Sequence, residues 1–254
     1  MKVTLVGSSV MPSVGLQFAS TYLIDDQIAI DAGTLGLIGL LSRQQAIQHV
    51  FLTHPHIDHV ATLPLFLENV YVPGPAAPTL YSSKSTRDAL AEHVFNERLW
   101  PDLFRLSEQE SPFFRYQLLE SGSGVEIGSL RITAVELDHV VPCFAYVVED
   151  SQGAVGFVSD TGPTRAIWEF LHRVPRLKAI FLEAAFPNEL AWLATKAGHL
   201  TPQLFAYEYQ KLQRKVPVYA VHIKPVHQAQ VIRQLEALAF PELVIGEPDR
   251  NYYF

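Results

Sequence analysis

Residues 53–59 read Thr-His-Pro-His-Ile-Asp-His and place His54, His56, Asp58 and His59 within six positions. Imidazole nitrogens and carboxylate oxygens are the ligand atoms of zinc and its first-row neighbours. An H-x-H turn lets two imidazoles converge on one ion. Asp58 and His59 point elsewhere and can serve a second ion.

The segment 46–52, Ala-Ile-Gln-His-Val-Phe-Leu, reads as a short apolar strand. The cluster is therefore expected on a loop at that strand's C-terminal end, with a helix following over 60–71. Two ions need more than four protein ligands, so other segments must contribute. His139 follows the strand-like run 132–137, Asp160 follows 155–158, and His222 follows 218–221. All three fall where a loop leaves a strand end, as the first cluster does. Asp160, in Ser159-Asp160-Thr161-Gly162, has two oxygens to offer two ions and is the natural bridge. Asp31, in Asp31-Ala32-Gly33, either caps the helix that follows or accepts a hydrogen bond from a ligand imidazole.

Strand patterns occur at 2–6, 17–24, 27–30, 49–52 and 79–81, with Gly7-Ser8-Ser9 as a turn and Asp25-Asp26 as a hairpin. Helical spacing covers 35–48 and 84–98. The runs 113–118, 124–127 and 130–137 alternate like antiparallel strands, and 144–149 with 154–159 forms another hairpin. Helices at 164–172, 188–196, 201–215 and 226–238 then alternate with strands at 178–183, 216–221 and 243–245. Strands in runs with helices interposed in both halves predict α/β architecture of two packed sheets with helices outside, four layers in all.

The chain of 254 residues is 48% hydrophobic and 18% charged, with a net charge of −7. That composition suits a compact globular protein, read as one domain over 1–254. With no basic cluster, a stable nucleic-acid complex is not expected. Cys143 is the only cysteine, which excludes an internal disulfide and reads as packing. No segment reaches the length of a membrane span. The N-terminus lacks a convincing cleavage site, so the cytoplasm is the expected location.

In this order, Asp31, His54-x-His56-x-Asp58-His59, His139, Asp160 and His222 resemble the five motifs of the metallo-β-lactamase superfamily. The resemblance covers nearly the whole chain. It implies an αββα sandwich and a two-metal hydrolase. Three further stretches resemble the class II cyclic-nucleotide phosphodiesterases: 93–103; Glu183-Ala184-Ala185-Phe186 with Gly198-His199-Leu200-Thr201-Pro202; and Val221-His222-Ile223-Lys224-Pro225. The chain departs from that family at Ile57, where Leu is usual, and at Ala61-Thr62-Leu63-Pro64, where Gly and Ser occur nearby.

The resemblance implies His54, His56 and His139 on one ion, Asp58, His59 and His222 on the other, and Asp160 bridging. Zinc is favoured, with Mn or Fe as alternatives. The catalytic set is Asp58 with His199 as the general acid and Glu183 holding the His199 tautomer. Asn96 and Trp100 are candidates to line a base pocket, and Lys224 to lie near a phosphate. The expected substrate is a small phosphodiester, a 3′,5′-cyclic nucleotide above others. The alternatives are a tRNA 3′-processing endonuclease, a glyoxalase-type thioester hydrolase and a catalytically silent metal-binding scaffold. A homodimer is compatible with the sequence.

Overall fold

The computed structural model describes residues 1–8 and 17–254; Ser9 of the expected turn lies outside the described residues. Two compact units emerge, each with its own sheet and core.

The first unit holds β1 (Lys2–Leu5), β2 (Tyr22–Ile24), β3 (Ile28–Ile30), α1 (Leu41–Gln45), β4 (His49–Phe51), α2 (Ile57–Val60), α3 (Leu63–Val70), β5 (Thr79–Ser82), α4 (Lys84–His93), α5 (Leu103–Leu106) and β6 (Arg115–Leu118). Its sheet runs β6-β5-β4-β3-β2-β1, and the strand Asn251–Tyr253 pairs antiparallel with β1 at the edge. β1 to β3 are antiparallel and β3 to β6 parallel. Asp25 and Asp26 close the β2–β3 hairpin with φ of 48° and 57°. Positive φ at both positions is the tight-turn geometry that matches strand twist. Leu23, Ala29, Val50 and Leu80 from the strands pack with Leu63, Phe66 and Leu67 of α3 and Leu90 of α4.

Three expectations need correction here. The helix expected over 35–48 is a 3-10 turn, Leu35–Leu37, followed by the short α1. Gly36 and Gly39 weaken a helix, and the Gln44 amide bonds the Ile38 carbonyl at 2.9 Å, holding the chain in a turn instead. Gly36 also lies so close to α3 that a Cβ there would stand 2.6 Å from the Thr62 carbonyl oxygen. Second, α4 stops at His93 because the Asn96 side chain accepts from Arg98 N and Leu99 N and turns the chain. Third, β6 joins β5 in parallel rather than the strands that follow it. Alternation shows that a strand is present but not which neighbour it takes.

The second unit holds β7 (Gly124–Ile127), β8 (Leu130–Leu137), β9 (Cys143–Glu149), β10 (Ala154–Val158), α6 (Ala166–His172), β11 (Leu177–Glu183), α7 (Ala191–Ala197), α8 (Pro202–Gln210), β12 (Val218–Val221), α9 (Gln228–Glu236) and β13 (Leu243–Ile245). The sheet order is β7-β8-β9-β10-β11-β12-β13, antiparallel as far as β10 and parallel beyond it. Val147, Val158, Ile180, Leu182 and Ala220 pack with Ile167, Trp168 and Leu171 of α6, Phe205 of α8 and Val231 and Leu235 of α9. Cys143 is buried in the same core.

A charge is buried there. Glu208 of α8 is fully buried and accepts from Trp168 Nε1 at 2.7 Å, Thr164 N at 3.2 Å and Lys211 Nζ at 2.6 Å. Glu208→Ala should therefore lower stability by about 3–5 kcal/mol, because the donors stay behind without their acceptor. Urea unfolding measures it, and a loss under about 1 kcal/mol would count against this account. Among the described residues, no helix is long and apolar enough to cross a membrane.

Candidate metal centre

β3 and β4 are parallel neighbours, with Ile30 opposite Phe51, so Asp31 and Thr53 leave the sheet side by side. Asp31 is 1% exposed with φ 61°, and its N–H bonds the Phe51 carbonyl at 2.8 Å. Its carboxylate organises the first set of candidate ligands. Oδ1 accepts from Thr53 N at 2.8 Å, and Oδ2 from His59 Nδ1 at 2.7 Å. The Thr53 hydroxyl, 3.0 Å from both carboxylate oxygens, is also 2.9 Å from His54 Nδ1. A hydroxyl that donates to Asp31 can accept only an N–H from His54. Asp31 thus fixes two rings, His59 directly and His54 through Thr53. With Nδ1 protonated on each, a metal bond from either ring is made through Nε2.

Asp31 does not cap the turn that follows; Thr34 occupies that N-cap. The His54 ring lies 4.6 Å from His56 and 4.1 Å from His59, centroid to centroid. The motif's backbone is pinned as well: Ser20 N donates to Asp58 O and Ala32 N to His59 O, both at 2.7 Å. Gly33 permits this approach, since a Cβ there would sit 2.2 Å from Asp58 O. The expected loop is partly helical. His56 is the N-cap of α2, and Asp58 and His59 lie on its single turn. Ile57 is 69% exposed and Val60 is the one buried apolar residue of the turn, so no apolar period marks the helix in the sequence.

In the second unit, β10, β11 and β12 are parallel with their ends aligned, Val158 opposite Leu182 and Glu183 opposite Val221. Asp160, Glu183 and His222 therefore emerge together at the carboxyl ends. β8 is two antiparallel steps from β10, so it runs the same way and delivers His139 to that edge. His222 Nε2 is 3.3 Å from Asp160 Oδ1, and His199 Nε2 is 3.9 Å from Asp160 Oδ2. Asp160, His199 and His222 each offer an atom within 4.8 Å of the others, a set able to hold a metal ion.

Glu183 is 1% exposed. It accepts from Thr161 N at 3.0 Å, from Ala185 N and Leu200 N at 3.1 Å, and from His199 Nδ1 at 2.7 Å. Its rigidity passes to the His199 ring. Burial pushes the His199 pKa down, but the charge and hydrogen bond of Glu183, with the charge of Asp160, leave it raised overall. Burial lowers that of His139, whose Nδ1 donates to Gly198 O at 2.8 Å. Gly198 caps α7 at φ 67°, and a Cβ there would meet His139 Nδ1 at 2.8 Å. Glycine is required twice at this position, for the backbone and for the ring.

Sequence reasoning missed the Thr53 relay, Gly198 and the contact of Lys224 Nζ with His222 Nε2 at 3.1 Å. A Thr directly before His54 was the only local sign of the first. The Asn96 amide is bound within its own loop, donating to Glu92 O at 2.9 Å. Trp100 lines a small cavity with Glu68, Leu103, Leu106 and Phe113.

Residues 28–223 match the β-lactamase superfamily domain, and the chain belongs to that family. The fold agrees with yeast PDE1 in its unliganded crystal structure at a TM-score of 0.78, with 18% identity over 100% of this chain and 99% of that one. It agrees also with the metallo-β-lactamase fold protein YhfI from Bacillus subtilis at a TM-score of 0.74, with 17% identity over 99% of each chain, so the α/β fold is the metallo-β-lactamase fold. A probable 3′,5′-cyclic-nucleotide phosphodiesterase of Yersinia pestis is 28% identical over 218 residues, 76% of this chain and 62% of the relative. Ribonuclease BN of Salmonella paratyphi C is 30% identical over 112 residues, 43% of this chain and 34% of that protein. The chain spans about six tenths of the length of the cyclic-nucleotide phosphodiesterases of Yersinia pestis (62%) and Aliivibrio fischeri (58%).

The donors suit divalent cations. Hydrogen-bonded imidazoles and a carboxylate, with no thiolate, form a nitrogen–oxygen set for a first-row metal.

Proposed function

We propose that residues 1–254 act as one metallohydrolase domain holding two divalent ions, zinc in first place. His54, His56 and His139 serve one ion, Asp58, His59 and His222 the other, and Asp160 bridges. The reaction is hydrolysis of a small phosphodiester, a 3′,5′-cyclic nucleotide going to the 5′-monophosphate. When bound, the ions supply Lewis acidity at the phosphoryl group and a water whose pKa falls to about 7.

The observation that carries this reading is the buried His199–Glu183 pair, with His199 Nε2 directed at Asp160. A phosphodiester's alkoxide leaving group needs a proton, and this pair supplies one. Glu183 holds Nδ1, so Nε2 is the nitrogen that donates. Relatives named as cyclic-nucleotide phosphodiesterases point to the small diester.

A second reading, tRNA 3′-end cleavage, is favoured by the ribonuclease relatives. The net charge of −7 argues against it.

The test is to incubate zinc-loaded protein separately with cyclic nucleotides, precursor tRNA and thioesters. Consumption of cyclic nucleotide is expected. Cleavage of tRNA alone selects the ribonuclease reading, a thioester alone the glyoxalase reading, and no turnover the scaffold. His56→Ala should lower bound metal, read by elemental analysis, and abolish hydrolysis. Active wild-type protein free of metal would refute the assignment.

A further inference from the structure

Lys224 lies two residues past His222, where β12 has ended. Its Nζ stands 3.1 Å from His222 Nε2, the nitrogen assigned above to a metal. The backbone is held on both sides. Lys224 N donates to the Ala185 carbonyl at 3.2 Å, and Pro225 favours the extended conformation found at Lys224, φ −63° and ψ 126°. The half-buried stem therefore delivers its ammonium to the floor formed by Asp160, His199 and His222. An ammonium has three N–H donors and no acceptor, so it can occupy the lone pair of Nε2 but not ligate a metal. One lone pair cannot serve both an N–H and a metal cation.

The geometry points to Lys224 as a phosphate-positioning residue with two stations: its ammonium donates to His222 Nε2 when that nitrogen holds no metal, and moves to a non-bridging phosphoryl oxygen when it does. This rests on the reading of His222 as a metal ligand. A compact charge on a flexible four-carbon stem suits such a move, and phosphate is its natural acceptor. No covalent bond changes. The ammonium exchanges a neutral nitrogen acceptor for an anionic oxygen, and the change strengthens its hydrogen bond.

Lys224→Met keeps most of the stem and removes the charge and the donors; Lys224→Gln is the second variant. Two affinities are read without turnover: zinc by chelator competition, and inorganic phosphate on the zinc-loaded protein by calorimetry. Zinc should bind both variants roughly tenfold more tightly, because a competing donor and a repelling charge are gone. Phosphate should bind roughly tenfold more weakly. The opposite signs are the signature, since a loosened loop would weaken both. Unchanged zinc affinity, unchanged phosphate affinity, or both falling together overturns the proposal. His222→Ala separates the premise: if that variant keeps two zinc equivalents, the ligand reading has failed, whatever Lys224 does.

Discussion

His199→Ala should keep two bound metal equivalents and the fold, and lose roughly 10²–10⁴-fold in kcat, the range for a positioned general acid. The loss should depend on the leaving group. A sugar alkoxide leaves poorly without a proton, whereas p-nitrophenolate leaves readily. The variant should therefore be far more impaired on a cyclic nucleotide than on a p-nitrophenyl phosphodiester. Equal slowing on both would make His199 a phosphate-positioning or pocket residue. Loss of a metal equivalent would make it a ligand, a role its place beside Asp160 and His222 also permits. Glu183→Gln gives an independent arm. Glu183 raises the His199 pKa, so the proton needed for catalysis stays on the ring to higher pH. Neutralising Glu183 should move the alkaline limb of the kcat profile to lower pH.

Asp31→Asn should weaken metal binding by about 10–100-fold, although Asp31 lies behind the proposed ligands. The carboxylate accepts from Thr53 N, the Thr53 hydroxyl and His59 Nδ1. An amide keeps one oxygen and presents two N–H donors to sites built for donors. His59 loses its anchor or is forced into the other tautomer, and His54 loosens with Thr53. Zinc affinity by chelator competition is the measurement, with circular dichroism to show that the sheet persists. Asn also tolerates positive φ, so backbone strain does not confound the result. An affinity within about threefold of wild type would show that the rings are fixed by packing instead.

Much of this was legible because strand ends are easy to find. Apolar runs ending at Leu52, Leu137, Val158 and Val221 placed the imidazoles and Asp160 at loop starts, and the strands end there or, at Phe51, one residue earlier. What stayed hidden depended on contacts distant in sequence. The pairing of β6 with β5 rests on a neighbour more than 30 residues away. The broken helix after Leu35 depends on Gly36, whose N–H donates to the Thr62 hydroxyl 26 residues further on. The Thr53 relay exists only because β3 and β4 bring Asp31 alongside. The strand Asn251–Tyr253 is too short to show a pattern, and β1 defines it.

Asp31 and His222 share an uncommon backbone, left-handed at φ 61° and 56°. That conformation costs a side-chain-bearing residue about 1 kcal/mol or more relative to glycine. Both stand where a strand has just ended, so the bend that aims the side chain is itself the source of the strain. Selection for heat resistance alone would drift toward glycine at these two positions and erase the proposed ligand at 222 and the carboxylate at 31 that fixes His54 and His59. A library screened for thermal tolerance should therefore hold positions 31 and 222 fixed, because there robustness and activity pull the sequence in opposite directions.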